Sequence, residues 1–247
     1  MSLIYIYIFL FGTVVGSFLN VVILRTPLKQ NLMKRSCCTG CGHALSWYDM
    51  FPLFSFLMLR GRCRYCNKKI SWQYPVVEAL NGILWVLSFV FMGPAIRTCL
   101  TCLVLSALLS LSFIDERTKE IPVGFNIFIG ATGLINLLLD YRNYLSYLLG
   151  AVSVAGLLLL IFLVSKGKAM GGGDIKLMAA AGLFLGLKLT LVAFFIALVL
   201  AVLIHIPRMK LQKKSSVLAM GPYLSAGIAL SLWFGEAVAD WYIGLLF

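Results

Sequence analysis

Along this chain the apolar residues come in long unbroken blocks, not at the spacing of a surface helix or the alternation of a half-buried strand. A membrane-spanning helix needs roughly 20 consecutive apolar residues. Eight segments meet or approach that length: Leu3–Leu24, Val76–Met92, Ala95–Ile114, Pro122–Leu139, Leu145–Ser165, Ile175–Gly186, Leu189–Pro207 and Tyr223–Phe247. The sixth is short and rich in Ala and Gly, so its limits are the least sharply drawn. The pattern predicts an all-α, polytopic membrane protein of about eight transmembrane helices. Continuous blocks also exclude a transmembrane β-barrel, whose strands alternate. No internal repeat or low-complexity tract interrupts the series. Only Arg25–Pro75 is long and polar enough to form a separate module. The predicted organisation is a first transmembrane helix (1–24), a cytoplasmic module (25–75) and a seven-helix membrane core (76–247).

Composition agrees. Of 247 residues 61% are hydrophobic and 12% charged, against roughly 45–50% and 25% in soluble domains. The mean hydropathy is +0.97. A water-soluble globule cannot hide so much apolar surface.

The net charge of +12 first suggests a nucleic-acid partner, but its distribution changes that reading. The first apolar block has no basic residue before it and Arg25 directly after it. A cleaved signal peptide has the opposite order. The block is therefore expected to stay as a helix with its N-terminus outside. With eight spans, alternate loops then face the cytoplasm. They hold 18 of the 21 Lys and Arg, including Lys166, Lys168, Arg208, Lys210, Lys213 and Lys214. Only Arg97, Arg142 and Lys188 fall on the other side. This is the positive-inside pattern. The excess charge reports topology, and no nucleic-acid partner is expected.

Cys38-Thr-Gly-Cys41 and Cys63-Arg-Tyr-Cys66 are two CxxC pairs 21 residues apart. Two tight thiolate pairs on a turn-rich segment supply four soft ligands for tetrahedral Zn²⁺. The segment is predicted to be cytoplasmic, where disulfides rarely persist. With all four positions filled, the expected role of the zinc is structural. The alternative is four loose thiols. Cys37, beside Cys38, is a competing but worse-spaced ligand. Cys99 and Cys102 read as packing residues within a span, and His43 as a surface residue. The aromatic run Trp47, Tyr48, Phe51, Phe54 and Phe56 reads as a segment lying against the membrane surface.

Acidic residues at membrane depth are costly and usually functional. Asp115 ends the third apolar block. Asp174 closes Gly171-Gly172-Gly173-Asp174 and is followed by Ile175 and Lys176. Two spans separate the aspartates, so both are expected at the cytoplasmic end of the bundle. Two close carboxylates tend to share a proton. One can then act as general base on water and the other as acid towards a carbonyl oxygen. The glycine run permits close approach of an extended peptide. Other readings remain open from the residues alone. Asp174 is a natural N-cap for the sixth helix, Asp115 an ordinary loop charge. A proton-coupled transporter would place carboxylates similarly, and a non-catalytic assembly scaffold needs neither.

The order of several segments resembles the type IV prepilin peptidases, bacterial membrane aspartic proteases of the GxGD class. Gly16-Ser17-Phe18-Leu19-Asn20 leads to Arg25 and Pro27. The CxxC pairs bracket Trp47-Tyr48-Asp49, Pro52 and Gly61. Tyr74-Pro75, Glu78, Asp115, Ile121-Pro122, Gly171–Leu177 and Gly221-Pro222-Tyr223 follow. Thr39 replaces a common proline, and Cys37 is an extra thiol. The resemblance implies that Asp115 and Asp174 are the catalytic pair, with Gly171, Gly172, Gly173 and Lys176 in the active-site loop. It implies prepilin or pseudopilin substrates with a short basic leader, serving pili, type II secretion or DNA uptake. It implies cleavage at the cytoplasmic face of the bacterial inner membrane. It also implies methylation of the new N-terminus with S-adenosylmethionine, an activity associated with the zinc module. Glu78, at the start of the second span, is a candidate contact for the substrate amine, with structural anchoring as the alternative. Asp49 faces the same choice, turn formation being the simpler reading.

Overall fold

The computed structural model describes residues 2–167, 170–212 and 219–246; Lys168, Lys213 and Lys214 of the charge pattern lie outside them. The described residues form helices joined by turns, with two isolated antiparallel bridges and no strand. The helices are α1 (Ser2–Arg25), α2 (Phe54–Met58), α3 (Gln73–Met92), α4 (Ile96–Thr118), α5 (Val123–Leu139), α6 (Tyr144–Val164), α7 (Gly172–Leu185), α8 (Leu187–Gln212) and α9 (Gly221–Leu246).

All but the five-residue α2 coincide with the eight apolar blocks, within a few residues at each end. By length and composition five are able to cross a membrane: α1, α3, α4, the segment ending in α6, and the first part of α8. α5 has 17 residues and α7 only 14. α9 is long but includes Glu236 and Asp240, which together hold Lys188 at 2.6 and 2.8 Å.

The chain divides into two compact units, 1–98 and 99–247. In the first, α1 packs against α3, so the polar segment forms the connection of a helical hairpin. Their contact is set by small residues: a Cβ on Gly12 would stand 2.9 Å from the Gly82 Cα, and one on Gly16 2.8 Å from the Glu78 Cα. Lipid tails give no hydrophobic drive for helices to pair, so close backbone approach supplies it. Asn81 Nδ2 donates to the Gly12 carbonyl at 2.7 Å and locks the register.

In the second unit α7 packs against α5 and α6, and α8 against α9. A Cβ on Gly130 of α5 would face Ala180, and one on Gly133 would meet Leu183 and Phe184. α5 and α7 therefore run in the same direction, as one intervening span requires. Asn136 Nδ2 donates to the Phe184 carbonyl at 2.9 Å near the far end of this pair. α4 is the most deeply buried of the five apolar helices.

Candidate active site and metal centre

Asp115 sits in the last turns of α4 and is 4% exposed. Its carboxylate Oδ2 accepts a 2.9 Å hydrogen bond from the backbone N–H of Gly221, 106 residues away. Gly221 begins α9, where helix N–H groups have no partner within the helix. The partial positive charge of a helix N-terminus attracts an anion. A side chain at 221 would place its Cβ 2.7 Å from Oδ2, so the approach needs glycine.

Asp174 is 9% exposed in the first turn of α7. The N-cap of that helix is Gly171, not Asp174. This corrects the capping role expected for Asp174. Its carboxylate, at the third helical position, turns back toward Gly171, where an added Cβ would stand 3.7 Å from Oδ2. Gly172 faces open space, whereas a Cβ on Gly173 would lie 2.9 Å from the Cβ of Ile121. Gly173 thus lets the α4–α5 connection close onto the first turn of α7. The two carboxylates interact electrostatically across this closure. Lys176 is exposed and makes no hydrogen bond or ion pair among the described residues.

Asn126, in the first turn of α5, is 7% exposed, and neither its Nδ2 nor its Oδ1 has a hydrogen-bond partner among the described residues. With α5 and α7 in parallel and Gly130 level with Ala180, Asn126 lies about half a turn beyond the level of Asp174. Neither Gly221 nor Asn126 stood out as a site residue in the sequence. Gly221-Pro222 at the head of an apolar block was the only signal for the first, and nothing local marked the second.

In the first unit the sulfurs of Cys38, Cys41, Cys63 and Cys66 all lie within 4.8 Å of one another. Two of them, Cys38 and Cys66, are 3.7 Å apart. Zn–S bonds of ~2.3 Å in a tetrahedron put sulfurs ~3.8 Å apart, so the cluster fits the metal. Each pair forms the same knuckle. Cys38 N–H donates to His43 O and Gly42 N–H to Cys38 O; Cys63 N–H donates to Lys68 O and Asn67 N–H to Cys63 O. The residue after each second cysteine takes positive φ, +71° at Gly42 and +57° at Asn67. Glycine and asparagine are the residues that accept this region most readily.

N–H groups of Cys41 and Gly40 draw the Cys38 thiol down to about 6. Cys66 receives a backbone bond from Lys68 that lowers it, yet burial and the three neighbouring sulfurs push it up to about 11. Crowded thiols that resist ionising together are what a dication relieves. Cys37 is exposed and outside the cluster. Cys102 is buried within α4. The His43 ring lies 3.7 Å from that of Tyr65.

Asp49 and Glu78 both hold structure. Asp49 accepts Arg64 Nε at 2.8 Å and the Tyr65 hydroxyl at 3.3 Å, tying the aromatic turn to the second knuckle. Glu78 is 6% exposed and accepts the Leu53 N–H at 2.9 Å. Leu53 has φ +58° and ψ −48°, a strained conformation for a leucine. Glu78 anchors that turn from α3.

A family model described as the bacterial peptidase A24 N-terminal domain matches residues 10–92, and one described as the type IV leader peptidase family matches 102–206. A prepilin leader peptidase/N-methyltransferase of Aeromonas salmonicida is 33% identical over 97% of this chain and 94% of its own length. The chain belongs to the type IV leader peptidase family. Relatives with the same name in Burkholderia pseudomallei and Bacillus subtilis are 32% and 29% identical, covering 91% and 96% of the chain. No solved structure matches it. The two family-model matches fall one in each compact unit, the aspartates in the second and the cysteine cluster in the first.

Proposed function

We propose that this protein removes the short basic leader of prepilin-like proteins, with Asp115 and Asp174 as the catalytic pair. One observation supports this most: two buried, interacting carboxylates at helix ends, Asp115 held by the N–H that starts α9 and Asp174 in the first turn of α7. Such a pair retains one proton between them. The ionised partner takes a proton from water as its oxygen attacks the scissile carbonyl. The protonated partner donates to the carbonyl oxygen, and the amine then leaves carrying a proton from the pair. The Gly221 N–H fixes the Asp115 carboxylate, so attack needs little reorganisation there.

All eight long helices cross the inner membrane in this reading, α5, α7 and α9 included. The N-terminus is outside, and the aspartates and the cysteine segment are cytoplasmic. The positive-inside distribution supports that orientation. Cys38, Cys41, Cys63 and Cys66 hold a structural Zn²⁺ that staples a segment with little core of its own. The relatives' name adds N-methylation of the new N-terminus, for which S-adenosylmethionine is the expected donor. A cavity of about 420 Å³ in the first unit does not suit that donor: Arg60, Arg62 and Lys69 line it and no carboxylate does, while the donor's sulfonium and ammonium outweigh its one carboxylate and leave it net positive. Methyl transfer is therefore assigned to no residue here.

The test incubates the purified enzyme with a prepilin peptide and S-adenosylmethionine and reads both products by mass spectrometry. The wild type should release the leader. Asp115→Asn and Asp174→Asn should each lose at least about a hundredfold in cleavage rate while remaining folded. Full processing by either variant refutes the catalytic assignment.

A further inference from the structure

The cavity in the first unit opens between α2 and the second knuckle. Arg62 and Lys69 are paired across the knuckle by an antiparallel bridge, and Ile70 N–H donates to the Gly61 carbonyl at 2.8 Å. Two of the three cations therefore stand on a ladder that the cysteine cluster closes. None of them forms an ion pair among the described residues. Residues 1–98 contain only two carboxylates, Asp49 and Glu78. Asp49 is taken by Arg64 at 2.8 Å, and Glu78 is buried on the Leu53 N–H.

Cations gathered around one cavity create a field that attracts an anion. The same field disfavours a methyl donor of net positive charge and a basic leader peptide. The other wall is apolar, formed by Phe56 and Trp72 with ring centroids 5.0 Å apart. A free phosphate would satisfy the cations and leave that wall wet. The volume lies within the roughly 300–1,000 Å³ range of small-molecule sites. Position in the chain selects among amphipathic anions. Trp72 is 72% exposed and immediately precedes α3, an apolar helix able to span a membrane from Gln73. Tryptophan at such a boundary sits at head-group level, and clustered Lys and Arg beside a span attract anionic lipid. Leu57 of α2, on the same cavity, is 71% exposed.

We propose that this cavity binds the head group of an anionic phospholipid. Arg60, Arg62 and Lys69 meet its phosphate, and Phe56 and Trp72 lie against its glycerol and upper acyl chain. The contact seats the cysteine segment on the membrane surface.

Native mass spectrometry of the full-length protein in detergent tests this. Phosphatidylglycerol and phosphatidylcholine of equal chain length are the probes, each titrated against wild type and the triple variant Arg60→Gln, Arg62→Gln, Lys69→Gln. Wild type should retain phosphatidylglycerol preferentially, and the preference should fall about fivefold for each cation removed. Arg60→Lys with Arg62→Lys should keep it. Bound zinc, read in the same spectra, reports that the module is folded. Should the triple variant lose zinc, Lys69→Gln alone is compared with wild type. Equal binding of the two lipids, or an unchanged preference in the variant with zinc intact, overturns the proposal. Displacement of the lipid by equimolar glycerol phosphate overturns it in favour of a soluble anion. Displacement by S-adenosylmethionine overturns it in favour of the methyl donor.

Discussion

At the residue scale, the spacing around the two aspartates sorts the neighbouring glycines. Gly221 and Gly173 have no room for a methyl group, while Gly172 has. Gly221→Ala would push its Cβ onto Asp115 and break the 2.9 Å bond that holds the carboxylate. Gly173→Ala would drive Ile121 away and separate the α4–α5 connection from α7. Both should lose cleavage by tenfold or more, since an ångström of misplacement can cost ~10² in rate. Gly172→Ala should cleave at close to the wild-type rate. A leader-removal assay on the three alanine variants checks the order, and a severe defect in Gly172→Ala alone would contradict this geometry. The cysteines permit a parallel test. Purified protein should contain about one zinc per chain, and Cys38→Ser with Cys63→Ser should abolish it by elemental analysis. Cys37→Ser should leave the zinc in place, because Cys37 lies outside the four-sulfur cluster.

At the element scale, the parallel course of α5 and α7 explains an amide with no evident structural use. Burying a polar group without partners costs about 1–3 kcal/mol, and Asn126 has both polar atoms in that state among the described residues. A peptide entering beside Asp174 would meet it within one turn. Asn126→Leu should therefore raise the thermal midpoint while lowering cleavage, a combination that a purely structural residue does not give. A fall in both quantities would mean that Asn126 has a structural partner. The α1–α3 hairpin follows a different rule. Its contact rests on Gly12, Gly16 and Gly82, and its register on an asparagine amide. Packing here relies on close fit and not on exclusion of water. The hairpin brings the two ends of the cysteine segment together, and Glu78 on α3 then fixes the strained turn at Leu53.

At the scale of the whole molecule, the proposed topology puts 18 of the 21 Lys and Arg on one side of the membrane. The proposed orientation places the cysteine segment inside the cell. Cys37 is exposed and free, which makes it a reporter of sidedness. In a variant whose Cys99 is changed to Ala, a membrane-impermeant maleimide should label Cys37 in inverted vesicles and not in intact spheroplasts. Labelling from outside would invert the topology and remove the aspartates from the cytoplasmic face.

Hydropathy alone delineated every long helix, because the cost of placing a polar backbone or side chain in lipid acts locally along the chain. The four-cysteine cluster was equally legible, since each CxxC pair closes within a few residues and only the meeting of two knuckles required folding. The aspartates stood out as charges at the edge of apolar blocks. Their environment did not. That Gly221 would hold Asp115 depends on a contact across 106 residues, and that Gly171 caps α7 depends on where the helix begins within a run of three glycines. The cation-lined cavity likewise joins α2 to a knuckle, and Asn126 gains meaning only once α5 lies beside α7. Composition and periodicity report how each segment meets its solvent; which segments meet each other is decided by chain closure and packing, and a one-dimensional pattern does not contain it.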